Sequence, residues 1–160
     1  MDATTEAATV ERHLAIAASP EAVWEFLVDP AKATRWMGQT ATFEARPGGL
    51  YRCEVVPGHT AVGEFVELDP PRRLVFSWGW EPSGEDDSRL APGSSTVEIE
   101  LTPDGDGTLL RFLHRDLPSV AAAESHSVGW DHYLPRLVTA AGGEDPGPDP
   151  WLTRPMGDEG

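Results

Sequence analysis

The sequence predicts an α+β domain with an antiparallel sheet of about seven strands, two short helices after the first strand, and one long C-terminal helix. Alternating apolar residues, typical of half-buried strands, occur once before residue 18 and in several successive stretches between residues 40 and 114. The stretch 119–141 instead repeats apolar residues at spacings of three and four, as a helix does. Strands in succession with segregated helices define the α+β class, and the long helix is the element large enough to cover the sheet.

The first predicted strand spans residues 9–17 and places Arg12 among its apolar positions. Arg12 is either an inward charge or an end-of-strand residue whose charged head reaches solvent or pairs with a carboxylate, and we favour the second. Ser19 and Pro20 then predict the start of a helix, because serine caps N-termini and proline suits the first turn. This helix ends at Asp29–Pro30, and a second is expected over 31–36.

The remaining strands are predicted over 40–45, 50–56, the two arms of 63–80, 96–102 and 108–114. The second arm of 63–80 is the most informative, because side chains two apart share a face of a sheet. It aligns four large side chains in one row: Leu74, Phe76, Trp78 and Trp80. The alternation does not decide whether Glu64 or Phe65 faces inward. Residues 81–95 lack periodicity and are predicted to form a mobile acidic loop.

Length and composition indicate one acidic domain. Residues 9–141 are expected to fold, residues 1–8 to be flexible, and residues 142–160 to form a disordered tail rich in Pro, Gly and acid, although Trp151 could dock back. The formal charge of −15 opposes binding to nucleic acid or to an anionic membrane surface. One cysteine excludes an internal disulfide, and no signal peptide or transmembrane run is apparent, so we expect a cytoplasmic protein.

Several short motifs give the chain a family resemblance. They are Ser19–Trp24, Arg35–Gly38, Arg46–Gly49, Gly63–Trp80, Gly107–Thr108 and His126–Trp130, in this order. Together they resemble the SRPBCC or START-like superfamily, and within it the branch named after the activator of the heat-shock protein 90 ATPase. The resemblance implies a helix-grip fold, in which a curved sheet wraps the terminal helix. One departure is Trp36–Met37, where many bacterial members resemble Trp-Trp.

In a helix-grip fold an apolar pocket commonly lies between sheet and helix, which makes the inward residues ligand-binding candidates. The candidates are Trp36, Tyr51, Cys53, Phe76, Trp78, Trp80, Phe112, His114, His126, Trp130 and Tyr133. The alternative is that these side chains simply fill the core.

Four further features concern chemistry. A pair formed by His114 and His126 could orient a polar ligand or titrate near neutral pH, although hydrogen-bonded core histidines are the commoner case. An inward Glu64 would be a buried carboxylate with a raised pKa. The five histidines share no ligand spacing, so no metal or cofactor is expected. Cys53 is predicted to be a buried apolar side chain rather than a reactive thiol.

These features favour a non-catalytic protein that binds a small hydrophobic or aromatic molecule. Two alternatives stay open. Similar folds host cyclases and hydrolases that position a substrate, in which case replacing His114 or His126 would abolish turnover. The family name suggests a chaperone partner, and a homodimer is also compatible with the sequence. No catalytic residue is assigned.

Overall fold

A computed structural model describes residues 8–81 and 90–152 of the chain. Its strands are β1 (Val10–Ile16), β2 (Thr40–Phe43), β3 (Leu50–Val56), β4 (His59–Asp69), β5 (Arg73–Trp78), β6 (Ser95–Asp104) and β7 (Gly107–Arg115). Its α-helices are α1 (Pro20–Val28), α2 (Pro30–Ala33) and α3 (Val120–Ala141). No helix among the described residues is long and apolar enough to span a membrane.

The seven strands form one antiparallel sheet in the order β1-β7-β6-β5-β4-β3-β2. Each strand from β2 onward pairs with the next along the chain, and β1 closes the other edge against β7. The sheet is curved and α3 packs on its concave face. The predicted α+β helix-grip fold is confirmed.

Local signals place α1 and α2 where the sequence predicts them. Ser19 caps α1 by accepting a hydrogen bond from the backbone N–H of Ala22 at 3.2 Å. Asp29 ends α1 and caps α2 through the N–H of Ala31. The second helix is shorter than expected and ends at Ala33, because the chain then tightens into turns before Gly38, whose φ is +87°.

The structure settles the two orientations that the sequence left open. Phe65 is fully buried and Glu64 is exposed, so no carboxylate enters the interior from β4. Arg12 pairs with Asp131 of α3 through two hydrogen bonds of 2.7 and 3.1 Å, as the favoured alternative predicts. This bidentate pair joins the edge strand β1 to the helix.

Other segments also differ from the sequence prediction. β4 begins at His59, four residues before the predicted start at residue 63. β6 begins at Ser95 instead of residue 96, and the Ser95 side chain is buried. The segment 142–152, which we expected to belong to a disordered tail, packs against α3: Trp151 stacks on His132 with ring centroids 3.8 Å apart. Arg136 of α3 donates to the carbonyls of Pro146 and Gly147. The predicted acidic loop falls largely on 82–89, outside the described residues, as do 1–7 and 153–160.

Candidate functional site

The interior between the sheet and α3 is walled by aromatic and aliphatic side chains. The aromatic row of β5 lies at its centre, since Phe76 and Trp78 face α3. A void of about 10 Å³ remains, which is room for about one water molecule. Its lining residues are Leu27, Trp36, Tyr51, Leu74, Phe76, Ile99, Phe112, Trp130, Leu134 and Leu137. At this position the side chains of the sheet and α3 leave little space between them.

A buried hydrogen-bonded chain runs from α3 into the sheet through His114. The indole N–H of Trp130 donates to His114 Nδ1 at 3.0 Å. The Ser95 hydroxyl donates to the Trp78 carbonyl at 2.8 Å, so it accepts from His114 Nε2–H at 2.7 Å. Both ring nitrogens of His114 are thus used, with the proton on Nε2.

A second chain is built on His126 with the opposite tautomer. The indole N–H of Trp80 donates to His126 Nε2 at 3.1 Å, which makes this nitrogen an acceptor. His126 Nδ1–H then donates to the Ala122 carbonyl at 2.9 Å, one turn earlier on α3. The rings of His114 and His126 meet edge to face with centroids 5.1 Å apart.

Burial keeps both histidines neutral. Desolvation, with a smaller contribution from the nearby His126, lowers the pKa of His114 from 6.5 to about 3. Desolvation also lowers the pKa of His126. A second proton on either ring would in addition displace a tryptophan N–H from its acceptor. The expectation that His114 could titrate near neutral pH is therefore wrong.

Trp78 lies at the centre of a Trp–His cluster that consists of Trp78, Trp80, His114, His126 and Trp130. The indole N–H of Trp78 is unpaired within the described part of the chain. Its ring contacts those of Trp80, His114 and Trp130 at centroid distances of 5.4, 6.0 and 5.0 Å. The residue is 2% exposed, and its indole N–H has no hydrogen-bond partner among the described residues. An unpaired buried donor costs free energy, so this group is the one polar atom of the cluster left available to a ligand.

The cluster contacts α3 at His126 and Trp130, where two halves of the helix with different burial meet. The first half of α3, residues 120–129, buries one side chain, that of Ala123. Val120 and Val128 point to solvent, and Val128 is 61% exposed. The second half, residues 130–141, buries six side chains and is tied down at Asp131 and Arg136.

Tyr133 and Cys53 lie near each other, outside the cluster. The Tyr133 hydroxyl lies beside Asp149. Burial raises the pKa of this hydroxyl, and the nearby carboxylate raises it further. Asp149 Oδ1 pairs with His132 Nε2 at 2.7 Å. Burial raises the pKa of the Cys53 thiol to about 12, so it stays protonated and unreactive, as the sequence predicted.

The structure divides the predicted site residues into three groups. Five line the void: Trp36, Tyr51, Phe76, Phe112 and Trp130. Trp78, Trp80, His114 and His126 form the cluster with Trp130 where the two halves of α3 meet. Cys53 and Tyr133 lie apart from the cluster. Within the described ranges 8–81 and 90–152, no group of three or more His, Cys, Asp or Glu side chains could hold a metal ion.

Sequence reasoning missed two residues that organise the interior. Ser95 orients His114, and its signal was available: the inward alternation of Val97 and Ile99 extends back to residue 95. Asp149 is buried against His132, and its Oδ1 accepts a hydrogen bond from the backbone N–H of Trp151 at 2.9 Å. No periodicity marks it, because it lies in a Pro- and Gly-rich segment.

The fold, the motifs and a family model agree on the class of this protein. The model described as "Activator of Hsp90 ATPase homolog 1-like protein" matches residues 17–142. The chain belongs to this AHSA1-like family, within the SRPBCC superfamily that the motifs resemble. No curated protein matches the chain at a significant level.

Solved structures place the chain among its relatives. An AHSA1-like protein of Rhizobium etli is 46% identical, over 89% of this chain and 87% of that one, with a TM-score of 0.69. CalU16 of Micromonospora echinospora is 29% identical, over 91% and 80%, with a TM-score of 0.68. An Hsp90 activator of Plasmodium falciparum is 22% identical, over 81% and 92%, with a TM-score of 0.65, a likeness of fold alone.

Proposed function

We propose that this protein binds a small hydrophobic or aromatic molecule between the sheet and the first half of α3, without catalysing a reaction. The observation that carries the proposal is the position of the Trp–His cluster. The paired histidines and an unpaired donor, Trp78 Nε1–H, lie where α3 passes from the half that buries few side chains to the half that buries most. A core built for stability alone has no need to concentrate polar groups there.

Binding requires this half of α3 to move. Pockets for small ligands hold about 300–1,000 Å³, whereas the void beside Trp130 measures about 10 Å³. Because residues 120–129 contribute little buried surface, their displacement costs less than that of residues 130–141. The ligand therefore selects a minor open conformation, and the opening free energy is subtracted from its affinity.

The hydrogen bonds of the histidines support binding over acid–base catalysis. All four ring nitrogens of His114 and His126 are already occupied by protein groups. A general base needs a free nitrogen within reach of the substrate and a pKa near the operating pH. The ligand would instead be held by apolar burial, worth about 25 cal/mol per Å².

Native mass spectrometry and thermal unfolding of the full chain test the proposal with naphthalene-sized apolar probes. We expect a one-to-one complex and a rise in the unfolding midpoint that saturates with ligand concentration. Leu109→Ala, on the outer face of the sheet, is the control and keeps the wild-type affinity. Trp130→Phe, within the interior, changes it. If no probe binds, or if both variants change the affinity equally, the proposal is wrong.

A further inference from the structure

The unpaired indole N–H of Trp78 says what kind of molecule the interior accepts. We propose that the ligand is an uncharged aromatic molecule that carries a hydrogen-bond acceptor, such as a ketone oxygen, for this N–H. The inference rests on the proposed function, because it concerns the same site. It assigns Trp78 a role in specificity, while its neighbours shape the site.

The first step concerns the donor itself. An indole nitrogen can only donate, so Trp78 Nε1–H needs an acceptor. The two nearest histidines cannot supply one, because His114 Nδ1 and His126 Nε2 already accept from Trp130 and Trp80. The Ser95 oxygen is likewise occupied by His114 Nε2–H and donates to the Trp78 carbonyl. The other N–H donors of the cluster are thus paired, and the Trp78 N–H is unpaired among the described residues. An acceptor atom of a ligand would pair with it.

The second step concerns charge. Among the described residues, the buried polar and charged side chains are Thr60, Ser95, Thr108, His114 and Asp149. None is a Lys, an Arg or a Glu, and Asp149 pairs with His132, outside the cluster around Trp78. A buried carboxylate or ammonium group of a ligand would therefore find no counter-charge and would pay its full desolvation cost.

The histidines do not change this conclusion. For His114 or His126 to become a cation, the nitrogen that accepts from a tryptophan N–H would have to take a proton. That step would leave a second buried indole donor unpaired. A neutral acceptor such as a carbonyl oxygen pairs with Trp78 and leaves both histidine chains intact. The interior thus discriminates by the charge and hydrogen-bonding type of the ligand as well as by its size.

Three probes of the same shape isolate the two features. They are 2-acetylnaphthalene, which has a neutral acceptor, 2-ethylnaphthalene, which has none, and 2-naphthoate, which is an anion at pH 7. We measure their dissociation constants by tryptophan fluorescence with the full chain. The acetyl probe should bind about five- to tenfold tighter than the ethyl probe, since it satisfies a buried donor. Naphthoate should bind at least about 30-fold more weakly than the acetyl probe.

Two variants assign the preference to one N–H. Trp78→Phe removes the donor and should bring the acetyl-to-ethyl affinity ratio to about one. Trp151→Phe is the matched control, because it replaces a tryptophan of the C-terminal segment outside the cluster, and it should keep the wild-type preference. The indole ¹H–¹⁵N signals of the six tryptophans provide a readout in the unaltered protein. The Trp78 signal should move downfield with the acetyl probe and not with the ethyl probe.

The outcomes separate this inference from the proposed function. Equal binding of the acetyl and ethyl probes, or a Trp78 indole signal that responds to both alike, overturns the acceptor requirement and leaves hydrophobic binding standing. Naphthoate binding as tightly as the acetyl probe overturns the requirement for a neutral ligand. If none of the three probes binds, the proposed function itself is wrong.

Discussion

The two halves of α3 differ in how many side chains they bury, although they form one continuous helix. Residues 130–141 bury Trp130, Tyr133, Leu134, Leu137 and two alanines, so this half anchors the helix to the sheet. Residues 120–129 bury Ala123 and contribute His126 to the Trp–His cluster. The Trp80–His126 pair thus lies under the half that buries few side chains, and most of the apolar packing of α3 lies under the other half.

The anchored half has additional ties that the covering half lacks. Arg12 holds Asp131 from β1, and Arg136 donates to the Trp36 carbonyl and to the segment after the helix. Trp151 stacks on His132. These contacts tie the second half of the helix to β1, to Trp36 and to the segment after the helix, which suits a site that opens by displacement of the first half.

The largest expected difference between the halves is in packing energy. Leu137→Ala should lower the free energy of unfolding by about 2–5 kcal/mol, because it removes a fully buried side chain and leaves a cavity. Val128→Ala, at an exposed position of the first half, should change it by less than about 0.5 kcal/mol. Urea denaturation measures both. Similar losses of stability in the two variants would contradict the division of α3 into an anchored second half and a weakly held first half.

His114 makes stability depend on pH. Its pKa is about 3 in the folded protein and 6.5 when unfolded, so the unfolded chain binds more protons between these values. Stability is therefore complete above pH 6.5 and falls with pH towards 3, by about 2 kcal/mol at pH 5.

Denaturation at pH 7 and pH 5 measures this loss. His114→Phe should remove most of the difference, whereas His13→Gln, at an exposed ring on β1, should keep it. A difference that survives His114→Phe unchanged would show that other groups cause it.

Trp151 tests the anchoring of the C-terminal segment. Trp151→Ala removes the stack on His132 and the edge contact with Tyr133, which together should cost about 1–2 kcal/mol. Trp151→Phe keeps an aromatic ring there and should retain most of this. Urea denaturation of the two variants decides, and a Trp151→Ala variant as stable as the native protein would mean that the segment contributes nothing.

The smallest expected effect comes from Gly129, at the junction of the halves. A Cβ at this position would meet nothing within 4 Å, so Gly129→Ala should raise the free energy of unfolding by about 0.5–1 kcal/mol. By stiffening the helix it should also slow association of 2-acetylnaphthalene in stopped-flow measurements. Thr139→Ala, in the anchored half, is the control for helix propensity and should leave association unchanged.

The sequence predicts most of this architecture because its signals are local. Alternation over Tyr51–Val55 and Val97–Leu101, and the cap at Ser19, depend on neighbours along the chain, and the structure confirms them. The partners in the interior are not local. Trp80 bonds to His126, which is 46 positions away in the sequence, and no periodicity predicts which ring nitrogen accepts the hydrogen bond. Asp149 was missed for the same reason, since its burial depends on His132 and not on its own segment.

The interior also shows why the candidate residues did not form one site. The candidates were chosen as lining of the space between the sheet and α3, and ten of the eleven are buried, with His126 partly so. Facing the helix does not fix a position along it, however. Cys53 lies near Tyr133, whereas Trp80 bonds to His126, and which residues meet depends on strand order and not on alternation.

Amide hydrogen exchange along α3, with and without 2-acetylnaphthalene, tests the central claim most directly. In the free protein, residues 120–129 should exchange faster than residues 130–141, because opening of the first half leaves the second half in place. The ligand should slow exchange in the first half and leave the second unchanged. Equal exchange in the two halves, or protection by the ligand confined to residues 130–141, would contradict the account.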